Sequence, residues 1–140
     1  MVKKTVTYTD FNGVERTEDF YFNLSNAELA EFSMSKSGGL AAYIERISKA
    51  KSQPELAALF KEVLMMSYGE KSDDGRRFIK NNQIRDEFMQ TEAYSIIYME
   101  LASDADAALK FFEGIIPADK AAAIKDNQAA IQKATHPALT

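Results

Sequence analysis

The sequence contains no cysteine. Disulfide scaffolds, thiolate zinc sites, iron–sulfur ligation and a cysteine nucleophile are thereby excluded. There is no tryptophan and only one histidine, His136, beside Pro137. A histidine-based triad and most histidine-ligated metal sites have no residues to build them. Basic charge is not in excess either: 17 Lys and Arg stand against 21 Asp and Glu, a net charge of −4. Binding a phosphate backbone through bulk charge is disfavoured. No apolar run approaches the roughly 18 residues of a membrane span. Met1-Val2-Lys3-Lys4 is basic, but polar residues follow it where a signal peptide would be apolar. With no cysteine as well, the expected site of action is the cytoplasm. No cofactor, metal, nucleic acid or membrane is expected as a partner.

What remains is an ordinary globular composition. At 140 residues and 46% hydrophobic content, the chain can bury roughly two thirds of the surface its unfolded form exposes. Thr5-Val6-Thr7-Tyr8-Thr9 is β-branched and aromatic with period-two character, Asn12-Gly13 is a turn signal, and Val14 to Leu24 resumes the strand pattern. This reads as a β-hairpin, with Val6 and Tyr8 on one face and Phe20 and Phe22 likewise. A lone hairpin is marginal in water, so its aromatics are expected to pack on helices or on another copy's sheet. The alternative is an open edge that pairs with a partner.

Helical signals follow. Ser25-Asn26-Ala27-Glu28 is a capping box, with Leu24 and Leu29 at the hydrophobic-staple positions. The predicted helix from Asn26 to about Met34 is broken by Ser35-Lys36-Ser37-Gly38-Gly39. Leu40 to Lys51 is helical again. Ser52-Gln53-Pro54-Glu55 is a second capping box before Leu56, Leu59, Phe60, Val63 and Leu64, and Gly69 reads as a C-cap. Gln83 to Met89, a helix capped by Thr91, and one capped by Ser103-Asp104 complete the series; Pro117 stops the last. Ala118 to Ala134 has good helix propensity and little to bury. The expected fold is mainly α: about five to six helices with an N-terminal β-hairpin. Residues 1–117 form one globular domain (1–24 hairpin, 25–117 helical core), and 118–140 a peripheral helix and flexible tail.

No catalytic, cofactor or metal residues emerge. Tyr68-Gly69-Glu70-Lys71-Ser72 lacks the upstream glycine of a phosphate loop and reads as a polar inter-helix loop. Asp73-Asp74-Gly75 lacks the alternating acids of a calcium loop and reads as a turn. Asp104 and Asp106, or Asp86 and Glu92, could be imagined as an acid–base pair, but carboxylates in a first helical turn serve as caps. Lys71, Arg76, Arg77 and Lys80 read as a solvated loop, with an interface as the minority alternative.

Six methionines, nine phenylalanines and six tyrosines are the most suggestive content. Methionine-rich surfaces suit adaptable apolar binding, although core packing is the commoner use. Met65 and Met66 cannot both follow the Leu59/Val63 stripe. Met65, Met66, Tyr94 and Tyr98 are the candidate partner-binding residues.

The run Tyr8-Thr9-Asp10-Phe11-Asn12-Gly13-Val14-Glu15-Arg16-Thr17-Glu18-Asp19-Phe20-Tyr21-Phe22-Asn23-Leu24 resembles the opening of tail assembly chaperones from long-tailed bacteriophages and prophages of Gram-positive hosts. Ser37-Gly38-Gly39-Leu40, Tyr68-Gly69-Glu70-Lys71-Ser72 with Gly75-Arg76-Arg77-Phe78, Thr91-Glu92-Ala93-Tyr94 and Glu100-Leu101-Ala102 follow in similar order. The resemblance covers roughly residues 3 to 117 and carries no catalytic residues. It implies a protein that binds the helical, apolar tape measure protein and keeps it soluble until tail-tube subunits polymerise around it. It also implies release through competition by the tail tube protein, absence from the finished virion and, in many phages, a longer frameshifted form. A homo-oligomer is a further expected state, because faces awaiting a client can meet each other. The alternatives are a structural tail or head–tail protein and a small inhibitor of a host protein.

Overall fold

The computed structural model describes residues 1–35, 42–43, 45–46, 49 and 53–117. Of the expected break over 35–39, Ser35 still belongs to the preceding helix and the rest lies outside those residues; the capping serine Ser52, and the peripheral helix and tail of 118–140 with His136, also lie outside them. Of the helix expected over 40–51, Ala42, Tyr43, Glu45 and Arg46 are helical and most of the rest lies outside.

Strands β1 (Val2–Thr9) and β2 (Glu15–Phe22) form the expected antiparallel hairpin. Its turn is a three-residue loop, Phe11-Asn12-Gly13. Gly13 donates to the Asp10 carbonyl (3.0 Å) and the Asp10 amide to the Val14 carbonyl (2.8 Å). Gly13 sits at φ +81°, where a side chain is strained. The Asp10 carboxylate fastens the loop, accepting from the amides of Asn12 and Val14 and from Arg16 Nε.

Helices α1 (Asn26–Ser35), α2 (Gln53–Ser67), α3 (Asn82–Met89), α4 (Glu92–Ala102) and α5 (Ala105–Ile115) follow, with strands β3 (Tyr68–Lys71) and β4 (Phe78–Ile79) between α2 and α3. Besides the helical residues Ala42, Tyr43, Glu45 and Arg46, five bounded helices therefore form among the described residues, and the hairpin belongs to a four-stranded sheet ordered β1-β2-β3-β4. The mainly-α expectation holds for the helices and understates the sheet. The stretch Tyr68–Ser72, read as a polar inter-helix loop, supplies β3, and Phe78–Ile79 beyond it supplies β4. Tyr21 pairs with Gly69 and Phe22 with Tyr68. Gly69 does not cap a helix. A Cβ there would lie 2.7 Å from Phe78 Cε2 and 2.8 Å from the Ile79 carbonyl oxygen, so the residue is glycine because β4 comes too close for any side chain. The turn expected at Asp73-Asp74-Gly75 is present, closed by the Gly75 amide on the Ser72 carbonyl.

The caps were readable. The Ser25 amide donates to Glu28 Oε1 (3.0 Å) and the Glu28 amide to Ser25 Oγ (3.1 Å), while Leu24 and Leu29 are buried. Thr91 Oγ1 accepts from the Tyr94 amide and Asp104 Oδ1 from the Asp106 amide. Asn81 caps α3 in the same way through the Ile84 amide. Ile116, before Pro117, is extended and ends α5.

One face of the hairpin packs on the helices. Val6, Phe20 and Phe22 are buried in the same cluster as Phe60, Leu64, Ile97 and Phe112. Phe22 meets Phe111 edge-on at 5.1 Å, and Phe88 stacks on Tyr68 at 4.0 Å. Fully burying such side chains contributes about 1.5–3 kcal/mol each. The other sheet face is polar: Thr5 bonds Asp19 and Thr7 bonds Thr17, all exposed. Residues 11–19 are exposed throughout, so the distal hairpin stands out from the core.

Candidate functional site

Three helices meet at a groove. The end of β2 turns through Asn23 and Leu24 into α1, and the last turn of α2 and the middle of α3 lie alongside. Leu24, Phe32 and Met66 give the apolar lining, with Glu28, Glu31, Glu62 and Arg85 around them. The cavity measures ≈ 400 Å³, a size that takes one or two large apolar side chains. Carboxylates outnumber the guanidinium three to one in that lining.

Lys80 ties together elements that border the groove. Its Nζ donates to the Asn23 carbonyl (2.6 Å), the Met66 carbonyl (2.9 Å) and Glu28 Oε2 (2.7 Å). Its side chain is only 9% exposed. The reading of Lys80 as part of a solvated basic loop is thus overturned: burial of its stem lets the ammonium satisfy two helix- and strand-end carbonyls together with a carboxylate. Burial weakens Lys80's hold on its proton, against the opposite pull of Glu28. For Glu28, burial pushes the carboxyl up, but the hydrogen bonds from Lys80 and the Ser25 amide outweigh it and hold it below its ordinary value. Arg76 and Arg77 remain exposed, and Lys71 lies 4.2 Å from the centre of the Tyr21 ring.

Arg85 Nε is shielded from solvent and has no hydrogen-bond partner among the described residues. An unmet buried donor costs about 1–3 kcal/mol. A carbonyl brought into the groove would offset that cost.

The four candidate binding residues are all half-buried and packed against the core. Met66 lines the groove; Met65, Tyr94 and Tyr98 do not. Tyr94 and Tyr98 form a pair on α4 with ring centres 5.7 Å apart, and Tyr94 meets Phe88 edge-on at 5.4 Å. Burial raises the Tyr94 hydroxyl above its ordinary value, with Tyr98 adding to it. Burial pushes Tyr68 up to about 12. Sequence reasoning missed Glu31, Glu62 and Arg85, whose convergence depends on how α1, α2 and α3 cross. It also missed Ile96, which with Met99 and Met34 is among the exposed large apolar side chains.

The geometry offers an adaptable apolar surface framed by acids. Asp104, half of one imagined acid–base pair, is occupied as a helix cap. Among the described residues no group of three or more His, Asp or Glu could hold a metal ion, and no helix is long and apolar enough to cross a membrane.

No curated protein and no solved structure gives a significant match. The model of one protein family matches residues 1–139, nearly the whole sequence. The chain belongs to the phage tail assembly chaperone family.

Proposed function

We propose that this protein binds the tape measure protein of its own phage and keeps it soluble until the tail tube polymerises around it. Family membership over residues 1–139 carries the reading. It also points to a non-enzymatic role. The groove supports it physically. A helical client presents apolar side chains at one-turn spacing, and a cleft lined by Leu24, Phe32 and Met66 accepts such a side chain. Met66 suits this work because an unbranched thioether adapts to different partners. Met65 and the Tyr94–Tyr98 pair extend the contact surface. Many weak contacts along a long client add through multivalency. The protein acts in the host cytoplasm, gives up its client when tail tube subunits compete for the same surface, and is absent from the virion.

The test is co-expression with the tape measure protein encoded in the same genome. The expected result is a soluble complex that purifies as one species and is lost when this chain is omitted. An insoluble client beside a freely soluble chain, or many copies of this chain in purified virions, would contradict the reading.

A further inference from the structure

The last described helix ends beside the groove. The Leu24 amide donates to the Ile115 carbonyl at 2.7 Å, and Leu24 belongs to the groove's apolar lining. Ile115 closes α5, and the described residues stop at Pro117. The stretch that follows in the sequence, Ala118 to Ala134, is therefore tethered close to the groove, each residue adding at most roughly 3.5 Å of reach.

That stretch has a composition complementary to the groove. Its large apolar residues are Ile124 and Ile131 alone. At about 100° per residue, the two fall on one face of a helix, roughly 10 Å apart. Lys120, Asn127 and Gln128 fall within roughly 60° of Ile124 on that face, whereas Asp119 and Asp126 both fall on the opposite one. In the groove, Leu24, Phe32 and Met66 provide apolar surface for an isoleucine. With Glu28 held by Lys80, Glu31 and Glu62 still outnumber Arg85, which favours a face carrying lysine and no acid. Arg85 Nε, shielded and without a partner among the described residues, calls for an acceptor, and the side-chain amides of Asn127 and Gln128 each carry one.

From this complementarity we infer that the chain's own residues 118–134 dock as a helix in the groove, with Ile124 and Ile131 toward Leu24, Phe32 and Met66. The tether makes the contact intramolecular, so an affinity too low to hold a free peptide is enough. The stretch stands where a client helix would lie and keeps the apolar lining covered until a longer client, with more contacts along its length, displaces it. This displacement rests on the client reading above; the docking itself does not.

Nuclear magnetic resonance of the full chain, isotope-labelled at its methionine methyls, tests the docking. Because the sequence has no cysteine, Asp126→Cys takes a nitroxide spin label at a single place, on the helix face away from the groove. The label is expected to broaden the Met66 methyl signal. Adding Ile124→Asp and Ile131→Asp should restore that signal while thermal melting changes little. A Met66 signal indifferent to the label, one broadened equally with and without the two aspartates, or broadening that passes between separately labelled chains would each overturn the inference. Client binding then separates the two readings. Without the spin label, the chain carrying Ile124→Asp and Ile131→Asp should bind the tape measure protein about tenfold more tightly, as when a cover in place roughly nine-tenths of the time is removed. Equal affinity would overturn the displacement. Should neither chain bind the client while the Met66 contrast stands, the client reading fails and the docking holds.

Discussion

Lys80 Nζ lies 2.7 Å from Glu28 Oε2, tying the residue after β4 to the first turn of α1. The same ammonium holds the Asn23 and Met66 carbonyls. One side chain thereby fixes the end of β2, the end of α2 and the start of α1, the elements that frame the groove. Lys80→Met keeps the apolar stem and removes the charge. It leaves two carbonyls and a carboxylate without their donor. The expected loss is about 2–3 kcal/mol, short of a fully buried pair because Glu28 is 37% exposed. Chemical denaturation measures it; a change under 0.5 kcal/mol, the range of an ordinary surface substitution, would remove Lys80 from this role.

The same contact sets an acid limit. Glu28 is held below its ordinary 4.5, so at mildly acidic pH the unfolded chain binds a proton that the folded chain does not. Stability from Glu28 is fully present above pH 4.5 and falls as pH drops through the lower folded value. Glu28→Gln should flatten the stability curve in that window and leave its shape near neutrality unchanged. Urea midpoints across the acid range provide the comparison.

Gly69→Ala places a methyl 2.7 Å from Phe78 Cε2 and 2.8 Å from the Ile79 carbonyl oxygen. The backbone oxygen cannot swing aside as a side chain can. A destabilisation of about 1–3 kcal/mol is expected, read as a lower melting temperature and faster amide exchange in β3 and β4. A substitution at Gly69 that leaves the melt unchanged would show that β4 can move away freely.

Thr91 links two helices. Its Oγ1 donates to the Phe88 carbonyl (2.7 Å) and accepts from the Tyr94 amide (3.1 Å). Thr91→Ala should cost about 1 kcal/mol and loosen the Tyr94–Tyr98 pair. Thr91→Ser, which retains the oxygen, should recover most of it. Equal melting curves for the two variants would count against the cap.

Much of this arrangement was legible in the sequence. Ser25/Glu28, Thr91 and Asp104 each announce a helix start by local hydrogen-bonding chemistry, and each caps where expected. The alternation of Val6, Phe20 and Phe22 places one hairpin face in the core. Segments whose structure depends on distant neighbours were not legible. Tyr68–Lys71 has no strand pattern of its own and becomes a strand because Tyr21 and Phe22 offer it an edge. Lys80 looks like any loop lysine until Asn23, Met66 and Glu28 converge on it from three elements. Of the candidate contact residues, Met65 and Met66 could be chosen together because they cannot both follow the Leu59/Val63 stripe, and Met66 is the one that lines the groove. The acids around it could not, since Glu31 and Glu62 come together only through helix packing.

The most direct measurement is light scattering of the purified tape measure protein diluted from denaturant into buffer, with and without equimolar chaperone. The expected result is suppressed scattering and a client that sediments together with this chain. Met66→Asp, placing a carboxylate beside Glu28 and Glu62 in the groove, should weaken protection about tenfold or more, as loss of a central anchor residue does, with Met66→Ala intermediate and both variants still folded. Scattering that rises equally fast with and without the chain, while the folded chain stays in the supernatant, would contradict the account.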